Sequence, residues 1–133
     1  VNAKHILVVV LTASLAAACA TGQSKTSRSE FEDIPVPRGL NFVEDRATVI
    51  ESPSVKAARL IYRGRIEINS LGQAMRTTLE ANGWRSISNT TNGSQGITQV
   101  FEKNANSLQV RLWEGWWYTY VELTASRALQ AAK

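Results

Sequence analysis

The chain predicts an α+β fold, one helix packed on an antiparallel sheet in the order β-β-α-β-β-β-β. Three observations carry that expectation. Ile68, Leu71, Met75 and Leu79 recur at spacings of three, four and four, the stripe of a helix with one buried face. Around this stripe, short runs of β-branched, aromatic and alternating residues are separated by Ser-Pro-Ser, Asn-Gly and Glu-Gly, which read as turns between strands. Setting aside residues 1–18 leaves 115 of the 133, room for one small core and not for two.

Ala47–Ser52 and Val55–Arg63 read as a pair of strands joined by Ser52-Pro53-Ser54. On the second, Ala58, Leu60 and Tyr62 share one face, and Arg59, Ile61 and Arg63 the other. Gly64 ends that pattern and the helix follows, with Glu67, Asn69 and Ser70 as candidate caps. Gly83 suits the left-handed position after the last turn, and Trp84 then folds back onto Leu79. Four strands complete the sheet as a meander: Trp84–Thr90, Ile97–Lys103, Leu108–Trp113 and Trp116–Leu123. Ala125–Lys133 reads as a short, frayed helical end.

A two-residue loop at Glu114-Gly115 fixes the register of the last hairpin. It sets Leu112 against Trp117, Val110 against Thr119 and Leu108 against Val121, an aliphatic side that carries the helix. On the opposite side Trp113 meets Trp116, Arg111 meets Tyr118 and Gln109 meets Tyr120. A slip of one residue exchanges the two faces.

The N-terminus carries an address. Lys4 is followed by a thirteen-residue apolar run, Ile6 to Ala18, against the ~20 residues that a helix needs to span a bilayer. Small residues then lead to Cys19, the only cysteine. That order reads as an export signal ending at a processing site. Ala16-Ala17-Ala18-Cys19, with the stretches before it, resembles the bacterial lipoprotein signal; the resemblance implies a diacylglyceryl group on Cys19 and cleavage before it. The small-x-small pairs Ala16/Ala18 and Ala18/Ala20 also fit an ordinary signal peptidase. Two or more acyl chains, at ~0.8 kcal/mol per methylene, hold a protein on its membrane where one does so marginally. Ala20 in place of Asp resembles the sorting pattern of Gram-negative outer-membrane lipoproteins, which implies an outer-membrane anchor with the domain facing the periplasm.

Thr21–Ser29 lacks large apolar residues and reads as a tether. Asp33-Ile34-Pro35-Val36-Pro37-Arg38-Gly39 is a stiff, polyproline-like strap. The expected organisation is therefore a signal peptide at 1–18, lipidated Cys19 and tether at 19–32, one domain at 33–125 and a frayed tail at 126–133. The Asp-Ile-Pro opening, Tyr62-Arg63-Gly64 at a strand end and Gly83-Trp84 after the helix resemble a group of small uncharacterised bacterial envelope lipoproteins. That likeness covers most of the mature chain and implies no catalytic residue.

Composition narrows the chemistry. The formal charge is +4, or +3 without Lys4, which singles out no partner. His5 is the only histidine and lies within the signal, so the processed chain has no imidazole and, with Cys19 acylated, no free thiol. Ser-His-Asp triads, Cys-His pairs and the usual zinc sites need those groups. No Gly-rich phosphate loop occurs. Neither a cofactor nor a metal is expected, and export removes the chain from nucleic acid. The carboxylates Glu30, Glu32, Asp33, Glu44 and Asp45 lie in or near the polar leading segment, Glu114 in a turn, and Glu67 and Glu80 at helix ends, all positions for solvated charge.

Two groups remain as candidate sites. Arg111, Trp113, Trp116, Tyr118 and Tyr120 concentrate on one ribbon, and flat rings with a cation suit a sugar or a protein surface; Arg111 over Tyr118 adds a cation–π contact. The competing reading has the strap or the first hairpin cover these rings as a second small core. Arg59 and Arg63, sharing a strand face, are candidate anion contacts, or simply the wet side of a strand. The functional expectation is a lipid-anchored envelope protein, a non-enzymatic binding or assembly module whose partner is an envelope protein or a glycan. The alternatives are a structural spacer and a carboxylate-dependent cell-wall hydrolase, the latter needing two convergent carboxylates in a cleft.

Overall fold

The computed structural model describes residues 31–129, so the expected signal, Cys19, the expected tether through residue 30 and the expected tail from residue 130 lie outside the described residues. The fold is α+β, as the sequence predicts. Strands β1 (Asn41–Phe42), β2 (Thr48–Glu51) and β3 (Val55–Gly64) precede helix α1 (Ile68–Ala81); β4 (Arg85–Asn92), β5 (Gly96–Lys103), β6 (Asn106–Glu114) and β7 (Thr119–Ala128) follow it. All seven strands form one antiparallel sheet in the order β1-β3-β7-β6-β5-β4, with β2 also pairing β3. A 3-10 turn, Glu44–Arg46, separates β1 from β2 along the same edge of β3.

Helix α1 closes as its residues dictate. The Glu67 carboxylate accepts hydrogen bonds from the backbone N–H groups of Asn69 and Ser70, each at 2.8 Å, satisfying two of the donors that a helix start leaves free. Those two bonds, Asn69 first, hold the Glu67 pKa down from 4.5 to about 2. At the other end Gly83 takes φ 84°, Trp84 N–H donates to the Leu79 carbonyl and Gly83 N–H to that of Glu80. This is the Schellman closure that Gly83-Trp84 predicts. Lys103 Nζ, from β5, adds a bond to the Asn82 carbonyl at 2.8 Å.

Leu71, Met75 and Leu79 lie fully buried against Ile97, Phe101, Leu108, Val110 and Leu112 on one face of the sheet. Helix α1 packs on β4, β5 and β6, which leaves the β3–β7 part of that face to be covered by something else. The strap covers it: Phe31 and Ile34 are buried in the same core as Ala58, Leu60, Val121 and Leu123, with Val36 packed alongside. The Arg127 guanidinium stacks 4.9 Å from the Phe31 ring centroid and bonds the Asp33 carboxylate. Phe31, placed in the tether by its neighbours in sequence, is thus a core residue.

Two further expectations are corrected here. Residues 125–128 continue β7 and pair with Val55–Ala58, so the helical end expected from Ala125 and the tail expected from residue 126 are strand as far as Ala128. Alanine favours a helix in isolation, but ten ladder positions beside β3 override that propensity. The last hairpin turns through four residues, Gly115–Tyr118, and not two: Glu114 pairs with Thr119, Trp113 with Tyr120, Leu112 with Val121 and Leu108 with Ala125. The displacement is even-numbered, so the two faces of each strand keep their predicted sides while every expected partner changes.

Candidate aromatic and arginine site at one end of the sheet

The outer face of the sheet, away from α1, gathers at the β6–β7 end the residues that the sequence singles out. Trp113 and Tyr120 are cross-strand partners and stack in parallel, centroids 5.4 Å apart and planes 10° from each other. A Cβ on Gly115 would come 2.6 Å from the Tyr120 ring, so glycine there leaves room for that stack. Arg111 lies 5.6 Å from the Trp113 centroid, not over Tyr118 as the shorter turn predicts. Tyr118 instead takes two guanidinium groups, Arg63 at 4.9 Å and Arg65 at 5.5 Å. Arg46, from the 3-10 turn, lies 5.7 Å from the Tyr120 centroid.

Trp116 and Trp117 stand at the tip of the turn. They are 91% and 72% exposed, and among the described residues neither has a ring or cation partner. The sequence places Trp116 on a strand opposite Trp113 and sets Trp117 against Leu112; both are loop residues, and Trp117 joins the candidate site it was left out of. The turn is closed by Gly115 N–H donating to the Tyr118 carbonyl at 2.8 Å. Its base is pinned by the Thr119 hydroxyl, which donates at 2.6 Å to the Ile66 carbonyl ahead of α1. The exposed pair therefore rides on a loop tied to both the sheet and the helix start.

The strap runs on the helix side and does not cover these rings. On the outer face the 3-10 turn lies beside β3, where Val43 and Ile61 are buried, and brings Arg46 to Tyr120, while β3 itself brings Arg63 to Tyr118. The two candidate anion contacts do share a strand face, but they differ. Arg59 is held by Glu122, with Nε at 2.8 Å and a second nitrogen at 2.5 Å from one carboxylate oxygen, and is already neutralised. Arg63 meets no carboxylate among the described residues.

An open cleft of about 790 Å³ flanks the turn, lined by Ile68, Asn69, the β4–β5 turn, Arg111, Trp113 and Glu114. Glu114 is the one carboxylate on that lining. A shallower hollow beside the 3-10 turn holds Glu44 and Asp45 with Arg46, Arg63 and Tyr120. Among the described residues no group of three or more metal-ligating side chains converges. No protein-family model, no curated protein and no solved structure matches this chain.

Proposed function

We propose that the chain is a lipid-anchored protein of the bacterial envelope that binds and does not catalyse. It is held at Cys19, with Ala20 favouring the outer membrane, and the Trp116-Trp117 loop with the arginine-flanked rings beside it meets a partner. The observation that carries the reading is the tip itself. Burying a Trp side chain on folding is worth several kcal/mol, yet two adjacent ones are left in solvent on a loop tied down at its base. Large exposed aromatics next to arginine are the side chains that dominate recognition surfaces.

Metabolic labelling with a fatty-acid probe tests the anchor: wild type takes up label and Cys19→Ser does not. Trp116→Ala/Trp117→Ala tests the site. The variant keeps the wild-type melting temperature and loses site-specific cross-links to envelope material formed by the wild type through the loop. Label retained in Cys19→Ser, or unfolding of the loop variant, overturns the corresponding half.

A further inference from the structure

We infer that the partner of the Trp116-Trp117 loop is the anionic phospholipid surface of a membrane, which the tip enters at headgroup depth; this rests on the loop being the binding site. The charge pattern argues for it. Arg59, Arg76, Arg85 and Arg127 each pair with a carboxylate, of Glu122, Glu80, Glu102 and Asp33 respectively. Arg38, Arg46, Arg63, Arg65 and Arg111 meet none among the described residues, and the last four lie against the rings behind the tip. Four carboxylates lie nearby: Glu114 at the base of the loop, Glu67, whose oxygens are engaged by Asn69 and Ser70, and Glu44 and Asp45, which share the hollow of Arg46 and Arg63 but form no ion pair with them. Unneutralised cations clustered on one surface select an anionic partner.

The order of side chains selects a bilayer. Indole rings settle at the boundary between headgroups and acyl chains, where an apolar ring and a polar N–H are both satisfied. Arginine beside them keeps its head at phosphate level while its stem lies along apolar surface. Here the indoles are outermost and free, and the guanidinium groups are fixed around Tyr118, the last residue of the turn. The anchor does not hold the tip away. Phe31 lies by Arg127, at the far end of β7, a strand of roughly 33 Å. Residues 20–30 reach at most about 36–40 Å, enough for the loop to touch the leaflet that holds Cys19.

Residues 20–133, which carry the whole described domain without the signal or the acylated Cys19, are mixed with vesicles of phosphatidylglycerol or of phosphatidylcholine, each doped with brominated lipid, so that no acyl chain holds the protein to either, and tryptophan quenching is read. Quenching is expected with phosphatidylglycerol, with a small fraction of it in phosphatidylcholine, and none in Trp116→Ala/Trp117→Ala, which retains Trp84 and Trp113 as background. The lipid concentration that half-saturates quenching rises about five-fold per cation removed, roughly 25-fold for Arg63→Gln/Arg65→Gln. Arg76→Gln/Arg85→Gln, which makes the same change in charge elsewhere, leaves it unmoved. Equal quenching by the two lipids, or equal losses in the two arginine variants, overturns the inference. A wild type that ignores both vesicles beside a folded tryptophan variant overturns the lipid partner alone and returns the site to a protein or glycan. An unfolded tryptophan variant overturns the site itself.

Discussion

Replacing Gly96 with alanine sets one methyl group against both a backbone angle and a neighbouring strand. Gly96 opens β5 at φ 91°, a conformation that costs an L-residue about 1–2 kcal/mol. Its new Cβ would also lie 1.9 Å from the Leu112 carbonyl oxygen and 3.0 Å from the carbonyl carbon. Those atoms are backbone of β6, held in register by the pairing of Ile97 with Leu112, so no rotamer change relieves the overlap. Shifting packed structure to admit a methyl costs typically ~1–3 kcal/mol. The sum is about 2–5 kcal/mol, a large part of the ~5–15 kcal/mol that holds a domain together. Gly93, three residues earlier in the same hairpin, has nothing within 4 Å of its Cβ position. Gly93→Ala therefore changes stability by about 0.5 kcal/mol or less. Urea unfolding followed by circular dichroism separates the two, because a slope of ~1–3 kcal/mol/M turns the Gly96 cost into a midpoint lowered by about 0.7 M or more. Equal midpoints for the two variants would refute the strand placement and the close approach of β5 to β6.

Three other expectations follow from the same structure. Phe101, fully buried between α1 and the sheet, loses about 3–5 kcal/mol on replacement by alanine, read as a lowered urea midpoint. Gln99 is buried with Nε2 donating to the Gly72 carbonyl at 3.0 Å, while Oε1 finds no donor among the described residues. Gln99→Met gives up one bond of ~1 kcal/mol and removes a buried acceptor costing ~1–3 kcal/mol, so its melting temperature stays level or rises; a marked fall would show that Oε1 is paired. Glu67→Ala lowers the melting temperature at pH 7. Because the folded-state pKa lies below the ordinary value, that gap is complete above about pH 4.5 and closes as the pH falls through about 2. A gap that is the same at pH 7 and pH 2.5 would contradict the cap.

Local patterns were sufficient for most elements. The stripe of Leu71, Met75 and Leu79 located α1, Gly83-Trp84 located its end, and alternation in β3 assigned Leu60 inward and Arg59 outward. The last hairpin shows what a local rule misses. Glu-Gly looks like a complete two-residue turn, but that register sets Leu112 on Trp117 and Val110 on Thr119. Four more positions match Leu108, Val110 and Leu112 with Ala125, Leu123 and Val121, aliphatic against aliphatic. That complementarity was present in the sequence and is the better guide to register.

By itself, then, the sequence determined the helix α1, which strand residues alternate, and which side of each of those strands is apolar, since these depend on neighbours within a few positions; at Ala125–Ala128 the local helical preference misled. It also placed the aromatic ribbon on the face opposite the helix, because strand parity survives an even shift. Only the tertiary structure decided that β7 lies between β3 and β6, that Phe31 and the strap seal the remainder of the core, and that Arg46, Arg63 and Arg65 arrive at the rings. Those contacts join segments dozens of residues apart. Each is chosen by competition among all apolar surfaces and charges of the folded chain, a choice that no short window of residues encodes.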